Sequence, residues 1–171
     1  NEITSKIKKS FNHLNLTVSP LKSVGVQGDM RTYAHPLIIE TDIKSLDLKG
    51  LIDIVHESPK LTNQFKEINR VILRIDSNQD TLAEAKLHKS YITLARLNLL
   101  RQVDYLVQAE VLKLGLEHDI WQFPVVLAPY GIKSSESIIL RPVASLEAMT
   151  AKFYPLPVNI LRDLASKIAK I

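Results

Sequence analysis

Cysteine is absent from the 171 residues. Its absence excludes disulfides, thiolate metal sites and a cysteine nucleophile, and makes a reducing, cytoplasmic setting the expectation. No apolar run is long enough to cross a bilayer, and no charged-then-apolar start resembles a signal peptide, so no membrane partner is expected. Aromatic residues make up only 6 %, and the one basic cluster is Lys6-Ile7-Lys8-Lys9. A nucleic-acid binder more often carries a dense basic stripe with interleaved aromatics. The net charge of +4 therefore permits phosphorylated ligands without requiring nucleic acid; none is expected, and that class survives only as the lesser alternative.

Familiar catalytic patterns are missing too. No Gly-Lys-Ser/Thr follows the glycines, and Gly25 and Gly28 have the wrong spacing for a dinucleotide fingerprint. His13, His35, His56, His88 and His118 are scattered, with no two at helical metal-ligand spacing, so no metal is expected. There is no Gly-x-Ser-x-Gly elbow, and no carboxylate pair stands out for acid–base work. No catalytic residue is expected.

What remains is 46 % hydrophobic and 23 % charged, the balance of a globular protein of one domain or two small ones. The chain begins at Asn1 rather than Met, so a piece of a longer protein is expected. Ile3, Ile7, Phe11 and Leu14 share a helical face, predicting a helix near 3–14. Val24, Val26 and Leu37-Ile38-Ile39 read as strands bracketing a Gly-Asp turn. Leu46 to Val55 has helical spacing, and Asn69 to Asp76 alternates as a strand. The longest periodic segment runs from Tyr91 to Leu114, with Leu97, Leu100, Val107, Val111 and Leu114 near one face and Gly115 as its cap. Strands follow at 123–129 and 138–141. A last helix starts at Pro157, with Ile160, Leu161, Leu164 and Ile168 as its buried stripe.

This order predicts an α+β fold of two related small β-sheet/helix subdomains, repeating strand-strand-helix-strand and joined by a long helix. Residues 1–80 hold the first with its N-terminal helix. Residues 81–171 hold the long helix and a second copy that lacks its closing strand.

Lys22 to Tyr33 is the richest stretch. Glycine lets backbone approach a ligand closely, Arg31 offers a fork suited to phosphate, and Asp29 can accept from hydroxyl or N–H groups. On chemistry alone it reads more readily as a β-turn with a capping Asp and a solvated Arg than as a ligand site. Trp121 beside Gln122 and Phe123 offers an apolar wall with one amide, or a piece of core.

Lys22-Ser23-Val24-Gly25-Val26-Gln27-Gly28-Asp29-Met30-Arg31-Thr32-Tyr33 closely resembles the start of the C-terminal domain of glutamine-hydrolysing GMP synthetases. Ile138 to Val143, Met149-Thr150-Ala151 and Leu156-Pro157 are similar to later parts of that domain. Leu99 to Asp104 and Gln122 to Pro129 resemble the insertion of its longer, eukaryote-type form. The resemblance implies a substrate-binding and dimerisation (assembly) module. Its parent converts xanthosine monophosphate (XMP), Mg-ATP and glutamine to GMP, using separate ATP-pyrophosphatase and glutaminase domains as partners. Carried over by position, Asp29, Arg31 and Gln122 contact XMP, with Lys22, Gln27 and Gly28 as further possibilities.

The departures limit this. Without cysteine the chain cannot be the glutaminase, and without the Ser-Gly-Gly-x-Asp-Ser loop it cannot activate substrate. The family's Lys-Pro-Pro…Glu-Trp-Glu tail is also missing. The chain alone is therefore expected to be inactive, to hold no cofactor and to bind nucleotide weakly. Two copies can satisfy the family's pairing internally, so a monomer or weak dimer is expected. A purely structural oligomerisation domain is the alternative.

Overall fold

The computed structural model describes residues 5, 7, 14–27, 30–42, 44–75, 82–133, 135–146 and 150–171, and at 26, 27 and 30 their backbone alone. The chain divides into two compact units, Asn1–Leu87 and His88–Ile171. Together they make a mixed α+β protein with small sheets.

The long strand β3 (Met30–Glu40) is the spine of the first unit. β1 (Asn15–Val18) runs antiparallel to its second half, from Asn15↔Glu40 to Val18↔Leu37. β2 (Ser23–Gln27) runs antiparallel to its first half, from Ser23↔Ala34 to Gln27↔Met30. After helix α1 (Leu48–Gln64), β4 (Ile68–Arg74) returns parallel to the second half of β3. Lys86–Leu87 is a short fifth strand, β5.

Proline explains much of this geometry. Pro36 has no N–H to give the ladder, and the β3–β4 register slips there: His35 opposes Ile68, while Pro36 opposes Arg70. Asn69 is the extra residue of that bulge. Its side-chain amide reaches across to β2, donating to the Ser23 carbonyl, while its carbonyl oxygen accepts from Ser23 Oγ at 2.7 Å. Gly25 lies so close that a Cβ there would sit 2.8 Å from Asn69 Cβ. The glycine is thus required by the chain's own asparagine. His35 is satisfied as well: its Nδ1–H faces the carbonyls of Ser19 at 2.8 Å and Leu21 at 2.9 Å, pinning the step between β1 and β2.

α1 starts at Asp47, whose carboxylate accepts from Gly50 N–H at 2.7 Å, a standard N-cap. The helix outruns the expected stop near Val55 and passes through Pro59. Ser58 Oγ donates to the Ile54 carbonyl and Thr62 Oγ1 to the Pro59 carbonyl, so local hydroxyls occupy carbonyls around the break. Ile7, Leu16, Leu37, Ile39, Leu61 and Ile68 form the core of this unit. Of the expected 3–14 helix, Ser5, Ile7 and Leu14 are described; Ser5 and Ile7 are helical, whereas Leu14 is a bend leading into β1. β1 was not anticipated; Asn15–Val18 is too short to show alternation.

The second unit opens on α2 (Leu94–Lys113). Thr93 caps its start by accepting from Arg96 N–H. Its end is a Schellman turn: Gly115 N–H bonds the Leu112 carbonyl, Leu116 N–H bonds that of Val111, and Gly115 has φ +66°. β6 (Val125–Ala128) pairs antiparallel with β8 (Ser137–Leu140), with the two-residue β7 (Tyr130–Gly131) between them in sequence. β9 (Val143–Ala144) and β10 (Lys152–Phe153) form a second small pair. α3 (Val158–Ile168) follows Pro157, which is its N-cap rather than its first helical residue.

Arg96 ties this unit together. It forks onto Glu136 at 2.9 and 3.0 Å through Nε and donates to the Tyr91 carbonyl at 2.8 Å. Lys167 of α3 reaches Glu110 of α2 at 2.7 Å. The buried face of α2 is Val103, Val107 and Val111; Leu97 and Leu114, expected on it, are exposed. The helix is apolar on both sides, so periodicity alone could not choose between them.

Candidate functional site

In the first unit the β2–β3 hairpin presents a flat face. Val24 pairs with Tyr33, and Arg31 lies two residues along the same strand, so all three project to one side. Val24 is 46 % and Tyr33 69 % exposed; Arg31 and Lys22 are exposed too. Pairing of the backbone at Gln27 and Met30 closes the ladder. Gly28 and Asp29 lie outside the described residues, as does the Gln27 side chain. The hairpin thus displays a guanidinium beside an aromatic ring, a combination suited to an anionic, planar ligand.

In the second unit a cleft of about 440 Å³ is lined by Gln108, Val111, Glu117, Ile120, Trp121, Gln122, Phe123 and Pro124. Its position follows from a backbone bridge. Trp121 and Gln122 N–H face the Val143 carbonyl at 2.8 and 3.2 Å, and Val143 N–H donates back to the Gln122 carbonyl at 2.8 Å. The bridge leaves both side chains outside the ladder. Ile120 and Phe123 are buried beneath, while Trp121 stays 46 % exposed. The lining joins apolar surface to two amides and one carboxylate. Of the lining, Val111 is marked in the sequence only as part of a helix face, and Gln108 and Glu117 carry no signal there; Gln108 and Val111 lie three residues apart on the helix, a spacing too common to mark a site.

Next to this cleft, Tyr154 donates towards Asp119 Oδ2 at 3.5 Å. Burial first, then the charge and hydrogen bond of Asp119, hold its phenol above the usual 10.0. Hydrogen bonds to Asp163 and Glu110 raise Lys167 above its usual 10.5. Among the described residues no group of three His, Cys, Asp or Glu could hold a metal ion. No described helix is long and apolar enough to cross a membrane.

Fold and surfaces define a two-unit α+β module in which Arg31 belongs to the first unit and Gln122 to the second. The chain is homologous to part of the glutamine-hydrolysing GMP synthases. It is 38 % identical over 158 residues to a protein of Leptospira interrogans named probable GMP synthase (glutamine-hydrolyzing), an alignment covering 90 % of this chain and 25 % of that protein. It is 41 % identical over 86 residues to the GMP synthase of Bifidobacterium longum, covering 45 % of this chain and 16 % of the relative. The Streptomyces coelicolor GMP synthase is 38 % identical over 86 residues. The chain therefore spans about a quarter of the length of the longest-matching of these relatives. No protein-family model matches it.

Proposed function

We propose that this chain is a substrate-binding and assembly module of a glutamine-hydrolysing GMP synthase, supplying part of the XMP site and no catalytic group. The observation that carries this reading is the homology across 90 % of the chain to one such enzyme. Arg31 pairs with phosphate, Asp29 contacts a hydroxyl or base N–H, and Gln122 reads the purine edge; Lys22, Gln27 and Gly28 are nearby contributors. The ATP-pyrophosphatase and glutaminase domains of the same cytoplasmic parent complete the site and bring Mg-ATP. The two units are related copies of one module, and a monomer or weak dimer is the expected state.

The exposed Val24 and Tyr33 beside Arg31 favour one second reading, in which the hairpin is purely an oligomerisation surface. Arg31→Ala in a full-length enzyme containing this sequence separates the two. Loss of one charge-assisted contact should raise KM for XMP roughly ten- to a hundredfold with assembly unchanged. Unchanged kinetics with lost assembly would favour the structural role instead.

A further inference from the structure

Trp121 gives the recess of the second unit a wall, and the polar groups around it give the recess a preference. None of the lining residues is a lysine, an arginine or a histidine. A phosphate therefore finds no charge partner inside. A planar ring does find support, because Trp121 stands 46 % exposed above the buried Ile120 and Phe123. An indole face accepts any stacked base, so the choice among bases falls to the polar groups.

Those groups are Gln108, Gln122 and Glu117. An amide turns to offer either a donor or an acceptor, so the two glutamines suit xanthine and guanine alike. A carboxylate only accepts. Along the edge from O6 through N1 to C2, xanthine presents carbonyl, N–H and carbonyl. Guanine presents carbonyl, N–H and an amino group there. The two neighbouring N–H groups of guanine match the two oxygens of Glu117. The 2-carbonyl of xanthine instead sets lone pair against lone pair. Conversion of XMP to GMP exchanges that carbonyl for the amino group, so the same recess opposes the substrate base and holds the product base.

We propose that Glu117 is a product-selecting residue, which makes the recess hold the guanine base of GMP more tightly than the xanthine base of XMP. GMP then slows the parent enzyme by occupying its substrate site. This role rests on the nucleotide reading of the recess. Phosphate at Arg31 is common to both nucleotides and adds nothing to the choice.

The competitive inhibition constant of GMP against XMP, measured in a full-length enzyme containing this sequence, tests it. Inosine monophosphate, which lacks the 2-amino group, is the second inhibitor. GMP should inhibit roughly tenfold more tightly than inosine monophosphate, the gain from one charge-assisted hydrogen bond at an exposed site. Glu117→Gln should close most of that gap. It should also lower KM for XMP about two- to threefold, since the new amide can donate to the 2-carbonyl. Glu117 is exposed, and unchanged thermal unfolding verifies that the variant keeps its fold. Arg31→Ala should weaken all three nucleotides alike. The product role is overturned if GMP does not compete, if it competes no better than inosine monophosphate, or if its advantage survives Glu117→Gln, while Arg31→Ala still raises KM. If Arg31→Ala and Gln122→Ala both leave KM for XMP unchanged, the nucleotide reading itself has failed.

Discussion

The two units hold their candidate ligand groups in opposite ways. In the first, the hairpin backbone is tightly specified by Pro36, Asn69 and Gly25, yet Arg31 and Tyr33 project freely from its flat face. In the second, the backbone bridge at Gln122 and Val143 is short, and the side chains sit over a recess floored by Ile120 and Phe123. A flat face can offer charge but little burial. A recess offers burial and few charges. The difference teaches that neither surface alone has what nucleotide recognition needs, a phosphate partner and a wall for the base.

Several substitutions test how far that contrast rests on separate supports. The largest effect should come from Leu37→Ala, which empties a site with no exposure at the centre of the first core. A loss of about 2–5 kcal/mol is expected, read by denaturant titration. Hydrogen exchange should place the loosening in β1, β3 and β4, and equal loosening of α2 and α3 would break the two-unit comparison.

Next comes Gly25→Ala. Its new Cβ meets the Asn69 Cβ and must push β2 or the β4 bulge aside, at a cost of about 1–3 kcal/mol. If Asn69→Gly relieved none of that cost, the close-approach account of this glycine would be wrong. Gly115→Ala should cost about 1–2 kcal/mol, because the left-handed φ of +66° there opposes any Cβ although the space is open. Thermal unfolding measures it, and a neutral result would mean that the helix end relaxes.

The smallest effect concerns pH and belongs to the second unit. Tyr154 and Lys167 are both held above their ordinary values of 10.0 and 10.5. The folded chain therefore keeps their protons where the unfolded chain has begun to release them, and stability falls as pH rises above about 10. Below that range both groups are protonated in either state, and they add no pH dependence. The change should be modest, since Lys167 is open to solvent screening. Tyr154→Phe together with Lys167→Met should flatten the alkaline limb; an unaltered slope would show that other groups cause it.

Much of this architecture is legible in the residues. Alternation marks the strands near Val24 and Ile72, the apolar run Leu37-Ile38-Ile39 marks the strand between them, and the glycine after Leu114 marks the end of α2. Where an element is short or its pattern two-sided, the reading fails. Asn15–Val18 has too few residues to declare itself a strand. α1 continues through Pro59 because its apolar positions at Leu51 and Leu61 both reach the core. The buried face of α2 was misjudged at Leu97 and Leu114 because leucines occur all round it, and only packing against the second unit selects the valines.

The candidate site divides along the same line. Trp121, Gln122 and Phe123 are adjacent in sequence, so their grouping is visible there. Gln108 and Glu117 join them only because α2 packs back beside the strand that follows. Sequence by itself determined the absence of thiol chemistry, the α+β order, the hairpin and the family likeness, since these rest on residue type and local spacing. Tertiary structure alone decided that Gly25 serves Asn69, that the recess exists, and which stripe of α2 stays outside. Each of those depends on which surfaces meet, and contact between residues distant in sequence leaves no local signature.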